Sequence, residues 1–159
     1  MANSTICEVS ELLVEGAKEV FETMVFMSIE KSSDDTPLSG ENLLGTITFT
    51  GSAQGCVGIC CSGDCAKSIA ANMMGLDDTN SSSNEDVADA IGEIANMIMG
   101  SFKSRILPVY DVVNVSIPSV ARGGNLDAML IGGCQKTIVS VIIDEYPSKL
   151  ILLFKTKCK

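Results

Sequence analysis

The sequence predicts an α/β (α+β) domain: a largely antiparallel sheet with two long helices packed on it. Three observations predict it. Apolar residues recur at helical spacing over residues 6–29 and again over 82–106, and the segments between and after them alternate like strands joined by tight reversals. At 159 residues, one domain spanning 1–159 is the natural count, large enough to bury about 70% of its unfolded surface.

The first element, residues 6–29, places Val9, Leu13, Ala17, Val20, Met24 and Met27 on one face, with Glu8, Glu11, Glu15, Lys18, Glu19 and Glu22 outside. Both methionines are read as core filling. Residues 31–42 are rich in turn formers and read as a surface loop. Strands over 44–49 and 55–61 follow, reversed by Gly51-Ser52-Ala53 into a hairpin. Asp64 is the expected cap of a short helix over 65–74 that Gly75 ends, and residues 76–83 form a polar linker. Asp77 and Asp78 in that linker are read as solvated acids rather than metal ligands. Beyond the second long helix, residues 111–120 alternate as a strand with Pro118 near its end, which marks a sheet edge or a crossing. Residues 137–144 and 149–156 form a final hairpin too apolar to lie open, so one of its faces must pack on the helices or on another subunit. A helix followed by a hairpin appears twice, a duplication of pattern without shared letters.

The helix over 82–106 organises the rest. Ser83 followed by Asp86 makes a capping-box-like start, and Glu85 and Asp86 place negative charge at the positive end of the helix dipole. At about 100° per residue, Val87, Ile91, Ile94, Ile98 and Phe102 form one apolar stripe, and Asp89, Glu93, Asn96 and Gly100 fall within about 60° of one another on the opposite side. A polar outer face is ordinarily only solvated. Two details argue for more. Gly92 and Gly100 each cost about 1 kcal/mol relative to Ala inside a helix, and both lie near the outer face, where a missing side chain lets another surface approach. Asn96 is a middling helix former that supplies an acceptor and two donors where Lys or Glu would better serve a wet surface.

Composition removes several functions. Eleven basic against twenty acidic residues give a net charge of −9, which argues against nucleic acid and against anionic lipid. No apolar run approaches a membrane span, and the N-terminal residues lack the basic flank and apolar block of a secretory signal, so the expected location is cytoplasmic. Seven cysteines raise the question of a metal, but Cys56, Cys60, Cys61 and Cys65 are not spaced as CxxC and no His accompanies them. They are read as small buried hydrophobes in a reducing compartment, with no metal site. The glycines at 123–124 and 132–133 fit neither phosphate-loop pattern.

The run from Asp89 through Glu93 to Asn96, followed by Met97-Ile98-Met99-Gly100, resembles the Asp/Ser-x-x-x-Glu-x-x-Asn signature of the CheC/CheX/FliY chemotaxis phosphatases, and most closely the CheX type. Two-site members of that family carry a second Glu-x-x-Asn on the first helix. Here Glu22 is followed at that spacing by Val25, so the resemblance is to the single-site form. It implies a CheC/CheX-like fold and hydrolysis of the aspartyl phosphate of a CheY-like response regulator in two-component signalling, with Asn96 holding the attacking water and Glu93 pairing with the regulator's lysine. Asp89, Gly92 and Gly100 are then partner-binding positions. The resemblance further implies no cofactor of the chain's own, Mg²⁺ on the regulator, and a homodimer that pairs or exchanges strand segments near residues 122–133. The alternative is a non-catalytic module of the same fold that docks a regulator or a flagellar-switch component.

Overall fold

The computed structural model describes residues 2–34, 38–76, 83–124 and 133–156. In chain order these are α1 (Ala2–Val20), a π-helical turn (Phe21–Val25), β1 (Ile29–Lys31), β2 (Asn42–Gly51), β3 (Ala53–Ser62), α2 (Gly63–Met74), α3 (Asn84–Ile106), β4 (Val112–Val115), β5 (Ser119–Gly123), β6 (Gln135–Ile143) and β7 (Tyr146–Thr156). The seven strands form one sheet in the order β1-β6-β7-β3-β2-β4, with β5 also on β2, and every pairing is antiparallel. The expected α+β architecture is therefore the observed one.

Alternation along the strands decides where the core sits. Leu43, Ile47 and Phe49 on β2, Val57, Ile59 and Cys61 on β3, and Leu150, Leu152 and Phe154 on β7 all join the main core with the buried faces of the three helices. The intervening residues point to the other face, where Leu44, Cys60 and Ile151 form a smaller cluster with Leu38. Cys60 and Cys61 thus lie on opposite faces, as their adjacency on a strand requires. Burial and the neighbouring sulfur both matter for these thiols: Cys65 hydrogen-bonds to Cys61 and, with desolvation, pushes the Cys61 thiol well up, away from the reactive thiolate. Among the described residues no three His, Cys, Asp or Glu side chains gather as metal ligands.

Helix ends follow local rules with one correction. Ser83 caps α3, its hydroxyl accepting from Asp86 N at 3.1 Å, as the sequence predicts. For α2 the cap is Ser62, which accepts from Cys65 N, and not Asp64, which falls one position inside the helix. Gly75 closes α2 at φ 69°, a left-handed turn suited to glycine.

The first helix departs most from expectation. It stops at Val20, a π-helical turn follows, and Phe26 ends it in the left-handed region at φ 61°. A π turn admits an extra residue and so shifts the phase of everything after it. Phe21 and Val25 become the buried pair, Met24 swings out to 55% exposure, and only Met27 of the two methionines reaches the core. The chain then enters β1, a three-residue strand inside what reads as helix and loop, tied by Asp144 Oδ1, which accepts from Ser28 N at 2.8 Å.

Residues 111–120 split into β4 and β5, both on β2, because the chain breaks at 116–118, where Ser116 Oγ accepts from Thr48 N and Pro118 cannot donate. The final hairpin turns more tightly than its sequence suggests: Ile143 pairs with Tyr146, leaving Asp144 and Glu145 as a two-residue loop with Asp144 at φ 52°. Asp77, Asp78 and residues 125–132 of the expected exchange segment lie outside the described residues.

Candidate active site

The α3 helix fixes the site because its inner face is fully committed. Val87, Ile91, Ile94, Ile98 and Phe102 are each at most 1% exposed. At about 2 kcal/mol of transfer free energy per large aliphatic or aromatic side chain, the stripe contributes on the order of 10 kcal/mol in gross terms. Backbone contacts fix its position as well. A Cβ at Gly45 of β2 would come within 2.9 Å of Ile91 Cγ2 and 3.2 Å of the Ile91 carbonyl, so the helix rests directly on the sheet there. A Cβ at Gly16 of α1 would lie 3.3 Å from Phe102 N, which marks an equally close approach between α1 and α3.

A small polar network reinforces that helix pair. Glu19 on α1 accepts from Ser101 Oγ at 2.9 Å and from Arg105 Nη2 at 3.4 Å. The Ser101 hydroxyl first, and then the Arg105 guanidinium, hold the Glu19 carboxyl below its usual range. The helix dipole is matched at both ends, by Glu85 and Asp86 in the first turn and by Lys103 and Arg105 in the last.

On the outer side, Asp89, Glu93, Asn96 and Gly100 are all exposed. They form a row of about 16 Å along the axis, with Glu93 and Asn96 one turn apart and their Cβ atoms about 5–6 Å from each other. No hydrogen bond or ion pair among the described residues engages the side chains of Asp89, Glu93 or Asn96, so a carboxylate and a carboxamide stand side by side with their polar atoms available. A Cβ at Gly100 would meet nothing within 4 Å, which leaves a bare step beside Asn96.

Gly92 corrects the expectation of a glycine open to a partner. It is buried, and a Cβ there would touch Val120 Cγ2 at 3.5 Å and Pro118 Cγ at 3.8 Å. At 100° per residue Gly92 is about 60° from Asp89, on the flank toward the sheet edge, and β5 covers that flank. The short segment from Pro118 to Arg122 therefore frames the site. Arg122 fastens it, donating from Nη1 to Glu41 Oε1 at 3.1 Å and from Nη2 to the Asn84 carbonyl at the start of α3 at 3.3 Å. Sequence reasoning gave Val120 and Arg122 no part in the site, since only the pairing of β5 with β2 brings them beside α3.

The model of the family described as "Chemotaxis phosphatase CheX" matches residues 43–141, which contain β3, α3 and the whole outer row. The chain belongs to the CheX family. Solved structures agree at the level of fold. The chemotaxis protein CheX of Vibrio vulnificus superposes with a TM-score of 0.79 at 21% identity, covering 93% of this chain and 97% of that one. CheX of Desulfovibrio desulfuricans gives 0.77 at 17% identity, covering 94% and 99%. A CheX of Borrelia burgdorferi, solved in a CheX–CheY–BeF3–Mg²⁺ complex, gives 0.70 at 18% identity, covering 91% and 96%. No curated protein sequence matches. Within this CheX-family chain, no described helix is long and apolar enough to cross a membrane.

Proposed function

We propose that this chain hydrolyses the aspartyl phosphate of a CheY-like response regulator, with Glu93 and Asn96 carrying the reaction. The observation that carries the reading is the outward pairing of these two side chains on a helix whose opposite face is locked into the core. Membership of a chemotaxis phosphatase family and the fold shared with a CheX solved with CheY support it.

The chemistry fits the groups. An acyl phosphate is already activated, so its hydrolysis needs a water held in line with the departing carboxylate more than it needs a strong base. A carboxamide can hold such a water, because its carbonyl accepts from the water while its N–H₂ donates to a phosphoryl oxygen. Glu93, one turn back, meets the regulator's lysine, which draws that cation into a fixed register with the phosphate. Asp89 and the bare step at Gly100 contribute to docking. The Mg²⁺ belongs with the regulator's own carboxylates, where it balances phosphoryl charge. A rigid helix is an apt carrier, because misplacing the amide by about 1 Å can cost on the order of a hundredfold in rate.

The test is the lifetime of a phosphorylated CheY-like regulator supplied in excess over this protein. Accelerated decay with many turnovers per chain is the expected result. Saturable binding that leaves the lifetime unchanged would overturn hydrolysis and leave a docking module.

A further inference from the structure

The outer row of α3 does not stop at Gly100. Helical geometry continues through Leu107, which keeps right-handed angles (φ −54°, ψ −37°) and donates from its N–H to the Lys103 carbonyl. At about 100° per residue, Lys103 and Leu107 each fall about 20° from Asn96, on the side that Asp89 and Glu93 share. With Leu107 included, the row runs about 27 Å at 1.5 Å per residue.

This extension differs in chemistry from the site. Lys103 is partly exposed, and no hydrogen bond or ion pair among the described residues engages its ammonium group. Arg105, in the same last turn, is committed to Ser101 and Glu19. Beyond Lys103, Leu107 is 50% exposed and Val109 is 73% exposed. Their turn is fixed, since the N–H groups of Val109 and Tyr110 both donate to the Ile106 carbonyl, at 2.9 and 2.8 Å, and Tyr110 packs against the core. One exposed aliphatic side chain is ordinary, but two within three residues, in line with a polar site, make a patch. Interface size points the same way. A specific partner covers about 800 Å² on each side, a disc roughly 32 Å across, and the row from Asp89 to Gly100 reaches only about half of that width.

We propose that Lys103, Leu107 and Val109 form a second contact for the CheY-like regulator, an apolar anchor with a cation beside it that selects the partner, while Glu93 and Asn96 act on its phosphate. This rests on the regulator being the partner, as proposed above. Order along the helix fixes the direction of docking. A regulator whose lysine faces Glu93 meets Lys103 with a carboxylate about 15 Å further on and sets an apolar side chain against Leu107 and Val109. Reversed docking brings that lysine against Lys103, a like-charge contact that opposes it. The bare step at Gly100 lets the partner's backbone close between the two contacts.

The experiment measures dissociation constants for full-chain variants and a CheY-like regulator loaded with BeF₃⁻ and Mg²⁺, beside decay of the phosphorylated regulator under multiple turnover. Leu107→Asp should weaken binding at least about tenfold and Val109→Asp about threefold, by placing a charge in the apolar contact. Lys103→Met should weaken it about threefold at about 0.05 M salt and leave it unchanged at about 0.5 M, where an exposed ion pair is screened. All three should keep the wild-type decay rate at saturating regulator and the wild-type thermal midpoint, a split that a merely structural role would not produce. Val109→Asp and Lys103→Met keep the test decisive should Leu107→Asp fail to fold. Wild-type dissociation constants in all three variants would overturn the proposal, as would a lower rate at saturation with unchanged binding. Leu107→Asp that disperses a dimer in sedimentation and binds the regulator as wild type does would assign the patch to a second copy of this chain, and overturn it too. Binding is read on a regulator that is not turned over, so a wild type that binds without hastening decay defeats the hydrolysis reading alone.

Discussion

Two Glu-led turns in this chain invite comparison: Glu93 to Asn96 in the middle of α3, and Glu22 to Val25 at the end of the first helix. Both Glu residues are exposed. Three residues on, Asn96 is exposed, whereas Val25 is wholly buried within a π-helical turn that Phe26 closes. The difference teaches that a two-residue site on a helix depends on phase. An uninterrupted 23-residue helix keeps the i and i+3 positions on one outer row, while the π turn rotates the second position inward.

The comparison can be broken from its inner side first. Ile94→Ala leaves a cavity in the core under α3 and should destabilise the protein by about 3 kcal/mol in chemical denaturation, with activity lost through misplacement of the helix. Val25→Asn, which completes the second Glu-x-x-Asn in letters, should cost about 2 kcal/mol, because it buries an amide, and should add no phosphatase activity. A gain of activity would show that phase is not the deciding factor. Glu93→Ala should raise the regulator concentration needed for half-maximal activity about tenfold and leave stability within about 0.5 kcal/mol. The smallest effect concerns Glu19. Its carboxyl titrates lower in the folded protein than in the unfolded chain, so its contribution is present above the ordinary glutamate range and fades as pH falls through the lowered folded value. Glu19→Gln should therefore slightly reduce the acid dependence of the thermal midpoint, and the network's exposure keeps the change small.

Much of this was legible in the letters. The apolar stripe of α3 and its Ser83 cap follow from spacing and local hydrogen bonding, and the outer row follows as the complement of the stripe. Long-range contacts were not legible. Gly92 looks like an open surface on a helical wheel, but a strand far along the chain covers it, and no periodicity encodes that β5 lands on the β2 edge beside α3. The π turn was equally hidden, since Val20, Met24 and Met27 fit an ideal helix as well as Phe21 and Val25 fit the real one. Ser62 outdid Asp64 as a cap because β3 runs directly into α2, so that the strand's last residue becomes the helix's first acceptor.

The central claim is that the Asn96 carboxamide does chemistry without supporting the fold, and one paired measurement meets it directly: regulator-phosphate decay and thermal midpoint for wild type and Asn96→Ala. The account predicts an acceleration reduced by about a hundredfold or more, the loss of a positioned water, with a stability change within about 0.5 kcal/mol. Undiminished acceleration by Asn96→Ala would contradict it.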